Sequence, residues 1–345
     1  MKAVQFQEHG DADVLEYAEF PDPEPGPEEV LVDVKAGALN HLDVWTRRGM
    51  PSPGEFPHVA GSDAAGVVES VGERVTRFEP GDRVAVAAGS YCGECEFCRH
   101  GEYTACENYY IVGEHVRGVH AEQFALPSEN LVHVPDHVDF ETAAAAPLVF
   151  QTAWRMLVTR ADIQQGEHVL VLGASGGVGH AAVQIAAHAG AEVYATGSSE
   201  EKLAAARELG ADHVVDYTEE NFASWAKELT DGRGVDVVVD HVGGETWRDS
   251  ISALAKRGRI VTCGATSGPN PETDISSIFW RQLDVLGSTM GGPGEIDDVL
   301  ELVWDGTFEP RIRDVLPMSE ASEAHRMLED REGFGKVVVV PDSEL

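Results

Sequence analysis

The segment from Val169 to Ala189 constrains the fold more than any other part of the chain. Val169-Leu170-Val171-Leu172 is the apolar run of a buried strand. It passes directly into Gly173-Ala174-Ser175-Gly176-Gly177-Val178-Gly179, and a helix is expected over Val178–Ala189. Glycines at this junction let the backbone bend sharply and bring helix and strand close together. The alternation then repeats. Val193–Thr196 precedes a helix over Glu200–Leu209, and Val214-Val215 precedes one over Phe222–Leu229. Val235–Val239 precedes a helix over Glu245–Lys256, followed by the strand Ile260-Val261-Thr262. Repeated βαβ units imply a doubly wound, Rossmann-type parallel sheet in an α/β protein.

The glycine turn has its own chemistry. On a G-x-G-x-x-G spacing, Ala174 holds the first position and Gly176 and Gly179 the other two. A bare main chain at Gly176 admits a pyrophosphate, which then sits on the helix N-terminus with Ser175, Gly177 and Val178 around it. Enzymes that use NAD carry an acidic residue about 20 residues further on, at the ribose hydroxyls. Here that place reads Gly197-Ser198-Ser199, with Lys202 one helical turn later. A carboxylate would repel a 2′-phosphate, whereas two hydroxyls and a lysine would accept it. The expected cofactor is therefore NADP(H) in preference to NAD(H), although Glu200 and Glu201 argue the other way.

The first 140 residues read differently. Val30–Val34 and Ala64–Val71 are short apolar runs between Gly- and Pro-rich turns. Phe78-Glu79-Pro80-Gly81-Asp82 is a turn before the strand Arg83–Val86. This part is expected to be a mostly-β barrel. The final strand, Lys336–Val340, has no room for a new domain and should pair back onto it. The expected division is 1–140 with 285–345, and 141–284 as an inserted cofactor domain.

Composition narrows the partners. The chain has 345 residues, 25 basic and 60 acidic, for a formal charge of −35. Such a surface cannot neutralise phosphates, so a nucleic-acid partner is excluded, and docking to anionic lipid is disfavoured. The apolar runs mark a folded protein with an acidic coat. Lysine occurs only at 2, 35, 202, 227, 256 and 336. This acidic, lysine-poor composition resembles proteins of salt-loving organisms. The sequence contains no stretch of about 18 apolar residues and no signal-peptide core, which points to a cytoplasmic protein. Its cysteines should then be thiols or metal ligands.

Cys92, Cys95, Cys98 and Cys106 follow the spacing C-x2-C-x2-C-x7-C in the lobe 90–108. Four thiolates this close fit a closed tetrahedral zinc site, with no open position for water, so one structural Zn2+ is expected. An iron–sulfur cluster uses similar spacings and stays open on the residues alone. At this point the chain resembles the medium-chain dehydrogenase/reductase superfamily over its whole length. The resemblance rests on Gly61–Val68, the cysteine lobe and the glycine turn, and it implies a GroES-like domain beside the Rossmann domain. It also implies that the lobe's zinc is structural. Further cofactor contacts are implied at Thr152, Tyr217, Gly264-Ala265 and Ser288-Thr289-Met290. Lys336 is implied near the pyrophosphate, with Asp63 as a partner. Relatives often associate through the edge strand, here around Leu283–Ser288, which implies a homodimer or homotetramer.

Alcohol dehydrogenases of this superfamily hold a second, catalytic zinc. The places of its ligands read Asn40, Ser62 and Leu148 here, which are not zinc donors. Without a Lewis acid, an electron-poor acceptor is the easier substrate, because its charge delocalises. The expected activity is hydride transfer from NAD(P)H to a small molecule, a quinone or an α,β-unsaturated carbonyl. Asn40 is the candidate oxyanion donor. His41 is a candidate proton source or phosphate contact. Two other readings stay open: an alcohol dehydrogenase with a non-standard metal site around Asp43 and Asp63, and a non-catalytic NADPH-binding protein.

Overall fold

The computed structural model describes residues 1–345 except Pro51, Pro53, Glu332 and Leu345. The chain divides into two units, Met1–Leu148 with Gly292–Leu345, and Val149–Gly291. Both boundaries fall later in the chain than the change in sequence texture suggests. The helix Phe140–Ala145 packs on the sheet of the first unit, and the Leu148 N–H donates to Asp63 there. At the other end, Asp284–Gly287 is a strand of the second unit's sheet.

In the first unit a long strand, Glu29–Ala38, is the centre of a seven-stranded sheet. It pairs antiparallel with Asp63–Val71, with Gln123–Pro127 and with the C-terminal strand Lys336–Val340. The last pairing, Val338 opposite Ala38 and Val339 opposite Gly37, returns the chain end to this unit. All five residues of Lys336–Val340 are buried, Lys336 among them. The unit also carries helices, among them the short helix His41–Arg47 and the helix Ala321–Glu329.

The second unit alternates strand and helix: β1 (His168–Val171), α1 (Gly177–His188), β2 (Glu192–Gly197), α2 (Glu200–Glu208), β3 (His213–Asp216) and α3 (Phe222–Leu229). Then follow β4 (Val235–Val239), α4 (Trp247–Ala253), β5 (Leu254–Thr262), α5 (Ile275–Arg281) and β6 (Asp284–Gly287). The strands are all parallel in the order β3-β2-β1-β4-β5-β6. The order reverses at β1, which is the switch point where ligands of such sheets bind. Its core joins Leu170, Tyr194, Val238 and Ile260 from four adjacent strands.

One boundary differs from expectation. The fourth helix ends at Ala253, and residues 254–256 belong to β5 rather than to a helix reaching Lys256. Leu254 pairs with Val235, and the register then shifts before Val237 meets Arg259. Arg257, at φ +62°, absorbs the extra length.

Candidate active site and cofactor cradle

The cradle begins where β1 ends. Gly173 takes a left-handed φ of +57°, and its N–H donates to Thr196 Oγ1 at 3.0 Å. The Ala174 N–H donates to Thr196 O at 3.1 Å. Ala174 therefore ties the loop to β2, and its N–H is engaged by Thr196. A Cβ on Gly179 would lie 2.1 Å from Gly173 O, so close helix–strand packing demands glycine there. A Cβ on Gly176 would meet only Gly173 O at 3.5 Å, so the space in front of that residue is open. Gly176 caps α1 without a side-chain bond, leaving first-turn N–H groups of Gly177 and Val178 without backbone acceptors among the described residues. Open space, free N–H groups and the positive end of a helix fit a pyrophosphate.

The neighbouring strand end suits a ribose phosphate. Ser199 caps α2, accepting from the Lys202 N–H, and Lys202 Nζ donates to Ser198 Oγ at 3.1 Å. The Tyr217 N–H donates to Gly197 O at 3.1 Å, which sets the exposed Tyr217 ring beside this group. On the other side of β1, the Ser288 N–H donates to Thr262 O, placing Ser288-Thr289-Met290 against the end of β5, next to Gly264-Ala265. Thr152 is buried, with Oγ1 3.9 Å from Met290 Sδ. Ser288 Oγ and Gln151 Nε2 are buried without a partner among the described residues. Such orphaned polar atoms suit the polar end of a dinucleotide.

The first unit gathers the remaining candidates around Asp63. Asn40 Nδ2 donates to Asp63 Oδ2 at 2.8 Å, and the Leu148 N–H donates to Asp63 Oδ1 at 3.1 Å. Lys336 Nζ donates to Asn40 Oδ1 at 2.5 Å and lies 3.4 Å from Asp63 Oδ2. Asp43 Oδ2 accepts from the Asn40 N–H at 2.7 Å. Burial pushes Asp43 up to about 7, against the pull of the Asn40 N–H and the Lys336 ammonium. Burial likewise raises Asp63 and lowers Lys336, and their mutual attraction opposes both shifts. His41 opens the helix His41–Arg47, half-buried, with its ring 6.4 Å from that of Trp45.

This geometry bears on two expectations. Lys336 is buried on Asn40 and Asp63 in the first unit, and its pairing with Asp63 is as expected. The Asn40 amide is already engaged, Nδ2 by Asp63 and more weakly by Ala38 O, and Oδ1 by Lys336. It does not present the free donor that an oxyanion would need. Sequence reasoning also missed the buried Arg47, His120 and His325 of this unit, of which His120 interacts with Asp63 and Lys336. Burial draws His120 down to about 4, so its ring is neutral. Nothing in the spacing of these residues marks them, because tertiary pairing alone brings them inside.

The cysteine lobe fits a metal. The sulfurs of Cys92, Cys95, Cys98 and Cys106 all lie within 4.8 Å of one another, and Cys95–Cys98 and Cys92–Cys106 approach to 3.5 Å. Zinc–sulfur bonds of about 2.3 Å place tetrahedral sulfurs about 3.8 Å apart. The Cys92 and Asn108 N–H groups donate to Cys106 Sγ, and the Cys95 N–H donates to Cys92 Sγ. Backbone hydrogen bonds draw Cys95 down to about 6, whereas burial pushes Cys98 up to about 12. The places of a second metal do not fit zinc. Asn40 and Leu148 donate to Asp63, and the third place is the buried hydroxyl of Ser62.

Comparison with known proteins agrees with this architecture. Residues 26–136 match the family model of the alcohol dehydrogenase GroES-like domain, and residues 177–305 match that of zinc-binding dehydrogenases. The chain is 36% identical to the quinone oxidoreductase of Pseudomonas aeruginosa, over 99% of each chain. It is 33% identical to the acryloyl-coenzyme A reductase of Sulfurisphaera tokodaii, over 94% of this chain and 95% of that one. A solved NAD-dependent alcohol dehydrogenase is 47% identical and superposes with a TM-score of 0.95, over 99% of both chains. The chain therefore belongs to the medium-chain dehydrogenase/reductase superfamily, whose members are oxidoreductases. No helix among the described residues is long and apolar enough to cross a membrane.

Proposed function

We propose that this protein reduces a quinone or an α,β-unsaturated carbonyl with NADPH, without a catalytic metal, and holds one structural zinc in the cysteine lobe. One observation carries the reading. Asn40, Ser62 and Leu148 occupy the places of the catalytic-zinc ligands, and Asp63 beside them is saturated by Asn40, Leu148 and Lys336. Two relatives named for such acceptors, a quinone and an acryloyl thioester, support it.

A bound dinucleotide would supply the hydride. The chain's own part is to hold it: first-turn N–H groups of α1 for the pyrophosphate, Ser198, Ser199 and Lys202 for the 2′-phosphate, and Thr152 with Ser288–Met290 for the nicotinamide. The rigid Asn40–Asp63–Lys336 cluster orients the start of the helix that carries His41. His41 is the titratable side chain there that keeps some solvent access, and it can pass a proton.

The solved relative described as an NAD-dependent alcohol dehydrogenase favours a second reading, in which NADH serves and a metal binds near Asp43 and Asp63. A steady-state screen of quinones, enones, aldehydes and alcohols with both cofactors, with metal counted on the same sample, separates the two. One zinc per chain and activity on enones or quinones after chelation are expected. Two metals per chain, with activity lost on chelation, would refute the proposal.

The assembly belongs to the same reading. β6 is an edge strand, and exposed Ile275, Phe279 and Trp280 lie on the helix leading into it. Pairing of two copies along β6 would cover this apolar surface in a homodimer. Light scattering should give twice the chain mass, and Trp280→Glu should shift it towards monomer.

A further inference from the structure

We infer that His241 is a dinucleotide-positioning residue, holding the nicotinamide-side phosphate and ribose hydroxyls. The inference rests on the proposed dinucleotide site and adds a side chain to it.

The residue stands at the end of β4, next to β1 across the switch point of the sheet. Its ring lies against the glycine turn: a Cβ on Gly173 would be 3.3 Å from His241 Nε2. His241 Nδ1 is buried without a hydrogen-bond partner among the described residues. A buried imidazole nitrogen left unpaired carries a free-energy cost unless a ligand completes it. The ring lies beside the glycine turn, where open space and the N-terminal end of α1 fit a pyrophosphate.

The turn that carries His241 is fixed in place. Asp240 is buried, and its Oδ1 accepts from the N–H groups of Val242 and Gly243, each at 2.9 Å. Asp240 Oδ2 accepts from Ser250 Oγ at 2.7 Å and from Thr246 Oγ1 at 2.9 Å. Gly243 takes φ +86°, and a Cβ there would lie 2.9 Å from Ala265 Cα. A side chain on so well-anchored a turn is preorganised, which favours binding over the freedom of a surface loop. The strand order assigns it to one half of the ligand. Ser198 and Lys202 follow β2, on one side of β1, and they suit the adenosine half. His241 follows β4 on the other side, towards Gly264 and Ser288. A neutral imidazole offers one donor and one acceptor, which matches a phosphate oxygen and a ribose hydroxyl.

The test compares two ligands on the intact protein. Fluorescence titration of NADPH and of adenosine 2′,5′-bisphosphate, with NADH and AMP beside them, is run on wild type, His241→Leu and His241→Asn. His241→Leu should weaken the full dinucleotides about tenfold and leave the adenosine fragments unchanged. His241→Asn, which keeps a polar group near the Nδ1 position, should recover part of the loss. Unchanged dinucleotide affinity in His241→Leu would overturn the inference. So would equal weakening of dinucleotides and fragments, which would make the histidine structural. A wild-type protein that binds no dinucleotide would refute the underlying site itself.

Discussion

Asp63 and Lys336 lie 273 residues apart in the chain and meet in the interior of one unit, 3.4 Å apart, with Asn40 bonded to both. Both are buried, so neither charge is hydrated. Removing one partner of such a pair leaves the other uncompensated. Lys336→Met should cost about 3–5 kcal/mol in denaturant unfolding, whereas the affinity of the folded fraction for NADPH should hold. A stable variant with weakened cofactor binding would return Lys336 to the phosphate site.

Asp43 sets a pH dependence whose sign follows from its environment. Its folded value is about 7 against an ordinary 3.8, mainly through burial. Between these values the folded state binds more protons than the unfolded chain, so this group's contribution to stability falls as pH rises from about 4 to about 7. Asp43→Asn keeps an oxygen for the Asn40 N–H and removes the titration. The difference in unfolding free energy, wild type minus variant, should therefore decline across that window and level off above it. A difference that is flat or rises would show that Asp43 is an ordinary ionised carboxylate.

The legibility of this protein in its sequence followed the range of the forces involved. The alternation that builds β1 to β4 is local, and so is the turn chemistry at Gly173 and Gly179, so both could be read from neighbouring residues. The third helix, Phe222–Leu229, falls where expected because Asn221 caps it through the Ser224 N–H and its apolar face recurs at helical spacing. The boundary after Ala253 is less legible, since Leu254 joins β5 only through its pairing with Val235. Lys336 shows the limit most clearly. Its partners Asn40 and Asp63 are hundreds of residues away in the chain, and only the pairing of Val338 with Ala38 brings its strand to them. His241 and Asp240 belong to no spacing rule at all, and only the sheet order sets them beside the glycine turn.

The cysteine lobe gives a third expectation. Cys95→Ser should lose its zinc by colorimetric metal assay, with lower thermal stability. The surviving folded fraction should keep its turnover number, because the closed set of four sulfurs has no open coordination position. A fully stable but inactive variant would move this metal into the chemistry.

The charge of −35 gives a fourth. Much of this charge is exposed carboxylate, and like charges on one surface repel across several ångströms. Salt shortens the screening length from about 10 Å at 0.1 M to about 3 Å at 1 M. The melting temperature should rise steadily with KCl into the molar range. A melting temperature insensitive to salt would show that local pairing already balances the acidic coat.

Lys202 offers the test of which nicotinamide cofactor the protein prefers. Its Nζ is held 3.1 Å from Ser198 Oγ, at the end of the strand where an acidic residue would otherwise bind ribose hydroxyls. A 2′-phosphate placed between them would accept from an ammonium and a hydroxyl, and charge-assisted bonds of this kind are about twice as strong as neutral ones. Lys202→Glu keeps the helix-forming character of the position and reverses the charge. It should weaken NADPH at least tenfold, leave NADH within about twofold, and make the NADPH loss smaller in high salt. Paired titrations at low and high KCl read all three effects. Tighter binding of NADH than NADPH by the wild type would overturn the assignment of Ser198, Ser199 and Lys202 to a phosphate, and would bring the protein closer to its NAD-dependent relative.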